Sequence, residues 1–178
     1  MKTFSIWITG ISGAGKTTLA NNINAVLNLN QYKSIALDGD GIRKKMNKDL
    51  GYSIKDRDEN TRRIACMSEL LSLQNLITIV SVISPMRNQR AYAKEIYGDN
   101  FNEVYLKASL EQCIERDIKG LYKQALDRKD TDFTALTSPY EEPENPDLMI
   151  DVSVNNAKQA AQILIEFLQK KYSLKLKP

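Results

Sequence analysis

No histidine occurs in the 178 residues, and the two cysteines, Cys66 and Cys113, stand far apart in the chain. Serine–histidine and cysteine–histidine catalysis are thereby excluded, along with the usual zinc ligand sets. Both thiols are expected reduced, in packed helices. Long apolar runs are also missing. The N-terminal MKTFSIWITG is interrupted at Gly10 before a signal-peptide core or a membrane span can form. A cytoplasmic protein is expected, with no membrane partner. Charge of one sign hardly accumulates, since 25 Lys and Arg face 22 Asp and Glu for a net +3. That is too little for a nucleic-acid surface, though it suits an anionic ligand. There is no internal repeat and no low-complexity tract. The length fits a single domain, at roughly 100 to 200 residues each.

Short apolar runs alternate with longer stretches of helical period, the pattern of a parallel sheet covered by helices on both faces. Strands are expected at Phe4–Thr9, Ser34–Leu37, Leu76–Ile83, Glu103–Lys107 and Leu148–Val152. Between the first two lies a helix whose stripe is Leu19, Ile23, Val26 and Leu27, the spacing of a face packed on a sheet. Further helices are expected from about Glu59 to Gln74, near 87–97, near 109–117 and near 157–171. The stretch Asp38–Asp58 is charged and connects the second strand to its helix. Residues 117–146 carry many charges and three of the five prolines, and little strand pattern. A segment of this kind inside one domain is expected to act as a mobile lid.

Gly10-Ile11-Ser12-Gly13-Ala14-Gly15-Lys16-Thr17 matches G-x-x-x-x-G-K-[ST], after an expected strand and before an expected helix. The glycines let several backbone N–H groups face one phosphate, and the helix N-terminus adds partial positive charge. Lys16 is suited to the β- and γ-phosphates of ATP and the Thr17 hydroxyl to Mg²⁺, with Thr18 following in the helix. A GTPase or a nucleotide-binding module without catalysis would carry the same loop. The GTPase lacks an Asn-Lys-x-Asp reader after the fourth strand, because Asn47-Lys48-Asp49 falls too early.

Asp38-Gly39-Asp40 follows the second strand, at the edge of an α/β sheet where ligands bind. Such a triplet is often only a turn. Beside the P-loop, Asp40 is a candidate to accept the proton of an acceptor hydroxyl, and either carboxylate could hold Mg²⁺ through water, with Asp40 and Thr17 the first choice. Asp38 is a candidate for the acceptor side.

The ordered blocks GISGAGKTT, LDGDGIR, NKDLGYS, DRDENTRRI, ISPMR, EVYLKASLEQCIERD, KGLYKQA and SPYEEPENP resemble the adenylylsulfate kinase family over nearly the whole chain. The resemblance implies a P-loop α/β kinase with a lid, transferring phosphate from ATP to the 3′-hydroxyl of adenylyl sulfate with Mg²⁺. It implies acceptor roles for Arg43, Arg57 and Asn60, and an aromatic clamp of Tyr52 and Phe133. Ser84 matches a family serine labelled a phosphoserine intermediate, although direct transfer requires only positioning and charge. Ser84 is therefore expected to line the acceptor site. Arg116 and Lys119, at the start of the lid, are expected over the ATP phosphates. The partner is a small-molecule nucleotide, with a homodimer as the oligomer to test.

Departures from the family cluster on the acceptor side: Gly41 for Asn, Lys44 for His, Met86 for an aromatic, Ile118 for Pro, and Ala135-Leu136 for Gly-Ile. They keep open a second acceptor, the cytidine diphosphoramidate phosphorylated on the same scaffold in capsule modification.

Overall fold

The computed structural model describes residues 3–117, 120–128 and 132–177. Five strands, β1 (Ser5–Thr9), β2 (Ser34–Asp38), β3 (Ile77–Ser81), β4 (Phe101–Lys107) and β5 (Leu148–Asp151), form one sheet in the order β2-β3-β1-β4-β5. Every pairing is parallel. In β1 the period-two alternation sends Ile6 and Ile8 into one core and Trp7 into the other. The first core packs against α1 (Lys16–Leu29) and α7 (Ala157–Tyr172) through Leu19, Ile23, Leu27, Leu164 and Leu168. The second packs Val80, Trp7 and Phe101 against Ile64 and Ala65 of α3 (Ile54–Leu73) and Ala93 of α4 (Arg87–Tyr97). Helices thus cover both faces, as the alternation predicts. The C-terminal strand ends Thr9, Asp38 and Ser81 come together along one edge.

Two differences from the sequence reading lie between β2 and β3. A short helix, α2 (Gly39–Lys45), occupies part of the charged connection. Two glycines conceal it, since glycine is a poor helix former. Gly39 is set by packing: a Cβ there would stand 3.0 Å from Val82 Cγ2 and 3.2 Å from the Ser81 carbonyl oxygen. Helix α3 begins at Ile54, not near Glu59, because Ser53 caps it by accepting from the Asp56 N–H at 3.2 Å and donating to its carboxylate at 2.7 Å. The cap signal lay in Ser53-x-x-Asp56.

Among the described residues of 117–146 there is regular structure that the charge pattern conceals. After α5 (Leu110–Arg116) comes α6 (Leu121–Arg128), which buries Tyr122 and Ala125. Phe133 packs its ring 4.8 Å from that of Tyr122. Cys113 is buried and Cys66 half-buried, and both are free thiols.

Candidate active site

Three positive-φ glycines shape the loop between β1 and α1: Gly10 at 146°, Gly13 at 79° and Gly15 at 93°. Gly10 also has no room for a side chain, since a Cβ would lie 2.7 Å from the Leu106 carbonyl oxygen on β4. The turn therefore hugs the sheet at the head of a 14-residue helix, α1, a helix N-terminus suited to an anion. Lys16 folds back and donates from Nζ to the Ile11 carbonyl at 2.7 Å. The Tyr122 hydroxyl donates to the Ser12 carbonyl at 2.8 Å, so α6 braces the loop from the side. Nothing in the motif marks Tyr122, although it falls within the KGLYKQA block.

Asp38 is the hub of the strand edge. Its Oδ1 accepts from the Thr17 hydroxyl at 2.8 Å and the Ser81 hydroxyl at 3.1 Å, and its Oδ2 caps α2 by accepting from the Gly41 N–H at 2.9 Å. Of the two carboxylates the sequence offers for the metal, Asp38 is the one that meets Thr17 here. Asp40 lies in the first turn of α2 and is exposed. The β-sheet register explains the choice: Asp38 is the last residue of β2 and pairs with Ser81, whereas Asp40 has already turned into the helix. Ser81 was missed because a serine ending an apolar strand carries no motif. Among the described residues no group of three or more His, Cys, Asp or Glu is placed to hold a metal ion. A divalent ion here would rest on the hard oxygens of Thr17 and Asp38 together with phosphate oxygens, a donor set that suits Mg²⁺.

On the acceptor side, Arg43 donates to the Gly51 carbonyl and lies 4.9 Å from the centre of the Tyr52 ring. Arg57, largely buried, donates to the Tyr52 carbonyl at 2.9 Å and to the Asp132 carbonyl at 2.8 Å. It thus ties the Tyr52 loop to the residue before Phe133. Tyr52 is 54% exposed and Phe133 is half-buried against Tyr122. Arg43 and Arg57 both approach the Tyr52 ring, and no ring contact joins Tyr52 to Phe133 among the described residues. The two aromatics flank one region without forming a closed clamp. Asn60 is buried and accepts from the Asn47 side chain at 3.0 Å.

Ser84 departs most from expectation. It is 1% exposed, with φ of 37°, and its Oγ accepts from the Trp7 indole at 3.0 Å. The hydroxyl is turned inward onto Trp7 rather than toward the open cleft, a geometry that lends no support to either expected role. Ser84→Ala is expected to lower stability by about 1 kcal/mol and to keep turnover within threefold of wild type. A loss of a hundredfold or more in a folded variant, measured by ADP release, would return the hydroxyl to the chemistry.

Among the ATP-side residues, Thr18 is exposed on α1, and Arg116 at the end of α5 donates to the Val152 carbonyl at 3.3 Å, beside the end of β5. Lys119 lies outside the described residues. A cavity of about 470 Å³ runs over Ile11 and is bordered by Tyr105, Ala135, Leu136 and Tyr140.

The sequence profile described as "Adenylylsulphate kinase" matches residues 2–151. The chain belongs to the adenylylsulphate kinase family. It is 43% identical over 170 residues to the adenylyl-sulfate kinase of Halothermothrix orenii, covering 96% of this chain and 91% of that one. It is 44% identical over 173 residues to the probable adenylyl-sulfate kinase of Bacillus subtilis, covering 97% and 88%. Its fold superposes with a TM-score of 0.90 and 36% identity on the Mycobacterium tuberculosis APS kinase CysC in complex with AMPPNP and APS, covering 94% of this chain and 98% of that one. Membership over this length extends past the P-loop to both sides of the adenylylsulphate kinase cleft.

Proposed function

We propose that the chain transfers the γ-phosphoryl group of ATP to the 3′-hydroxyl of adenylyl sulfate, giving 3′-phosphoadenylyl sulfate in sulfate assimilation. The observation that carries the reading is the cleft itself. A P-loop faces Asp38, Thr17 and Ser81 on one side, and Arg43 and Arg57 gather around Tyr52 on the other, in a family whose M. tuberculosis member was solved with AMPPNP and APS.

Little covalent work is asked of the protein in such a transfer, which depends on alignment and charge stabilisation. The loop N–H groups and Lys16 hold the β- and γ-phosphates, with Lys16 leaving the Ile11 carbonyl to do so. Thr17 and Asp38 would hold Mg²⁺, which when bound neutralises charge on the phosphate oxygens. Asp40 stands on the acceptor side as the group to receive the hydroxyl proton. Arg43 and Arg57 bind the acceptor's anionic bridge, and Tyr52 stacks its base once the arginines engage that bridge, a contact worth about 1 to 3 kcal/mol per base. Residues 117–146 act as a lid, shutting water from the phosphates. A cytoplasmic location and a homodimer belong to the same reading, and light scattering of the purified protein tests the second.

The expected result of a substrate comparison is a kcat/KM at least tenfold higher for adenylyl sulfate than for cytidine diphosphoramidate, equivalent to about 1.4 kcal/mol in transition-state binding. Stacking and charge serve both acceptors. Discrimination therefore falls to base-edge hydrogen bonds and pocket shape, where Ala135 and Leu136 border the cavity. The reverse preference would assign the cytidine nucleotide and leave the kinase intact.

A further inference from the structure

Arg90, on α4 and only 3% exposed, engages all three of its guanidinium nitrogens. Nε lies 2.7 Å from Glu103 Oε1 on β4. Nη1 donates to the Ser84 carbonyl at 2.7 Å and Nη2 to the Glu141 carbonyl at 2.6 Å. The guanidinium also sits 5.8 Å from the centre of the Tyr140 ring. Among the described residues its polar partners are these three, so it acts from behind the cleft.

The two carbonyls belong to separate parts of the site. Ser84 is the positive-φ residue in the turn after β3, three residues beyond Ser81, whose hydroxyl holds Asp38. Glu141 lies in the arm that returns from Phe133. That arm is pinned to the same turn twice more: the Glu141 N–H donates to the Pro85 carbonyl at 2.8 Å, and the Arg87 N–H donates to the Glu141 carboxylate at 2.7 Å. Next to it, the Tyr140 hydroxyl lies 3.0 Å from the Thr9 hydroxyl, directly before Gly10. Burial pushes the Tyr140 phenol up to about 12, so this group remains neutral. Burial also raises the Glu103 carboxyl, against the pull of Arg90. A planar fork is needed here, since an ammonium cannot meet one carboxylate and two separated carbonyls in a plane.

We propose that Arg90 is a positioning residue for the acceptor: by clamping Ser84 and Glu141 together it fixes where the arm 133–142, with Phe133, stands over the acceptor side of the cleft. The assignment rests on the acceptor-kinase reading above. It gives a largely buried ion pair a specific consequence, because the arm cannot shift without breaking the fork.

Two variants test it. R90M/E103L removes both charges and so leaves neither buried alone, and R90K keeps the charge without the fork. Both are expected to melt cooperatively and to bind AMPPNP within threefold of wild type. The KM for adenylyl sulfate should rise tenfold or more in each, with kcat changed less than threefold. Hydrogen exchange should accelerate at least tenfold at the Ala135 and Glu141 amides while β1 and β3 amides keep their wild-type rates. An unchanged acceptor KM in the folded variants, a wild-type KM in R90K, or acceleration spread evenly over the core would overturn the proposal. If wild type turns over no adenylyl sulfate, the functional reading fails by itself. The exchange pattern then still decides: local acceleration upholds the clamp, and its absence removes it.

Discussion

Lys16→Ala is expected to lower turnover by two to three orders of magnitude while leaving the melting temperature within a few degrees of wild type. The residue begins α1, and its ammonium is held over the loop by the Ile11 carbonyl at 2.7 Å. In the proposed mechanism that bond, to a neutral carbonyl, is exchanged for phosphate when ATP enters. The charge is therefore used where negative charge moves in the transition state, and removing one such preorganised donor costs about 2.7 to 4 kcal/mol of barrier stabilisation. Alanine is a good helix former at this position, so no loss of fold accompanies it. Steady-state ADP release and a thermal melt of the same preparation separate the two effects. Turnover within threefold of wild type would take the P-loop lysine out of the mechanism.

Asp38→Asn and Asp40→Asn are expected to fail differently, although the two residues are separated only by Gly39. Asp40 is exposed at the start of α2 and is assigned to the acceptor hydroxyl. Its amide should lower turnover at saturating ATP by about 10² to 10⁴, the usual contribution of a general base, with ATP affinity unchanged. Asp38 holds Thr17 and Ser81 and caps α2. Asparagine caps a helix nearly as well as aspartate, so stability should change little. Loss of the negative charge beside Thr17 should instead weaken binding of ATP in the presence of Mg²⁺ as well as turnover. Titration of each variant with AMPPNP, with and without Mg²⁺, reads the split. If Asp40→Asn loses ATP affinity and keeps its turnover at saturation, Asp40 is a ground-state ligand.

The legible parts of this molecule are those in which a residue type has one strong physical use. Strand runs such as Ile77–Ser81, buried at every position, and the Leu19-Ile23-Leu27 stripe announce a two-faced parallel sheet through periodicity alone. The P-loop was equally plain, because positive-φ glycines followed by Lys-Thr serve few other purposes. Less legible were features decided by tertiary contact. Helix α2 hides behind Gly39, whose lack of a side chain is required by Val82 rather than by local flexibility. Asp38 and Asp40 look equivalent in sequence, and only the pairing of Asp38 with Ser81 in the β2–β3 register tells them apart. Ser84 was drawn toward chemistry by its match to a family serine, while Trp7, 77 positions away, takes its hydroxyl. Arg90 carries no motif at all. Its importance comes from three partners spread over β4, the turn after β3 and the returning arm.

The central claim is that phosphate passes from ATP to the acceptor in this cleft, and isotope transfer tests it most directly. The protein is incubated with ATP labelled in the γ-phosphate, Mg²⁺ and adenylyl sulfate, and the products are separated and analysed by mass and ³¹P NMR. The label should appear in 3′-phosphoadenylyl sulfate in one-to-one proportion with ADP, and ADP release should fall at least a hundredfold when the acceptor is left out. Equal ADP release with and without acceptor, with all label in inorganic phosphate, would contradict the account.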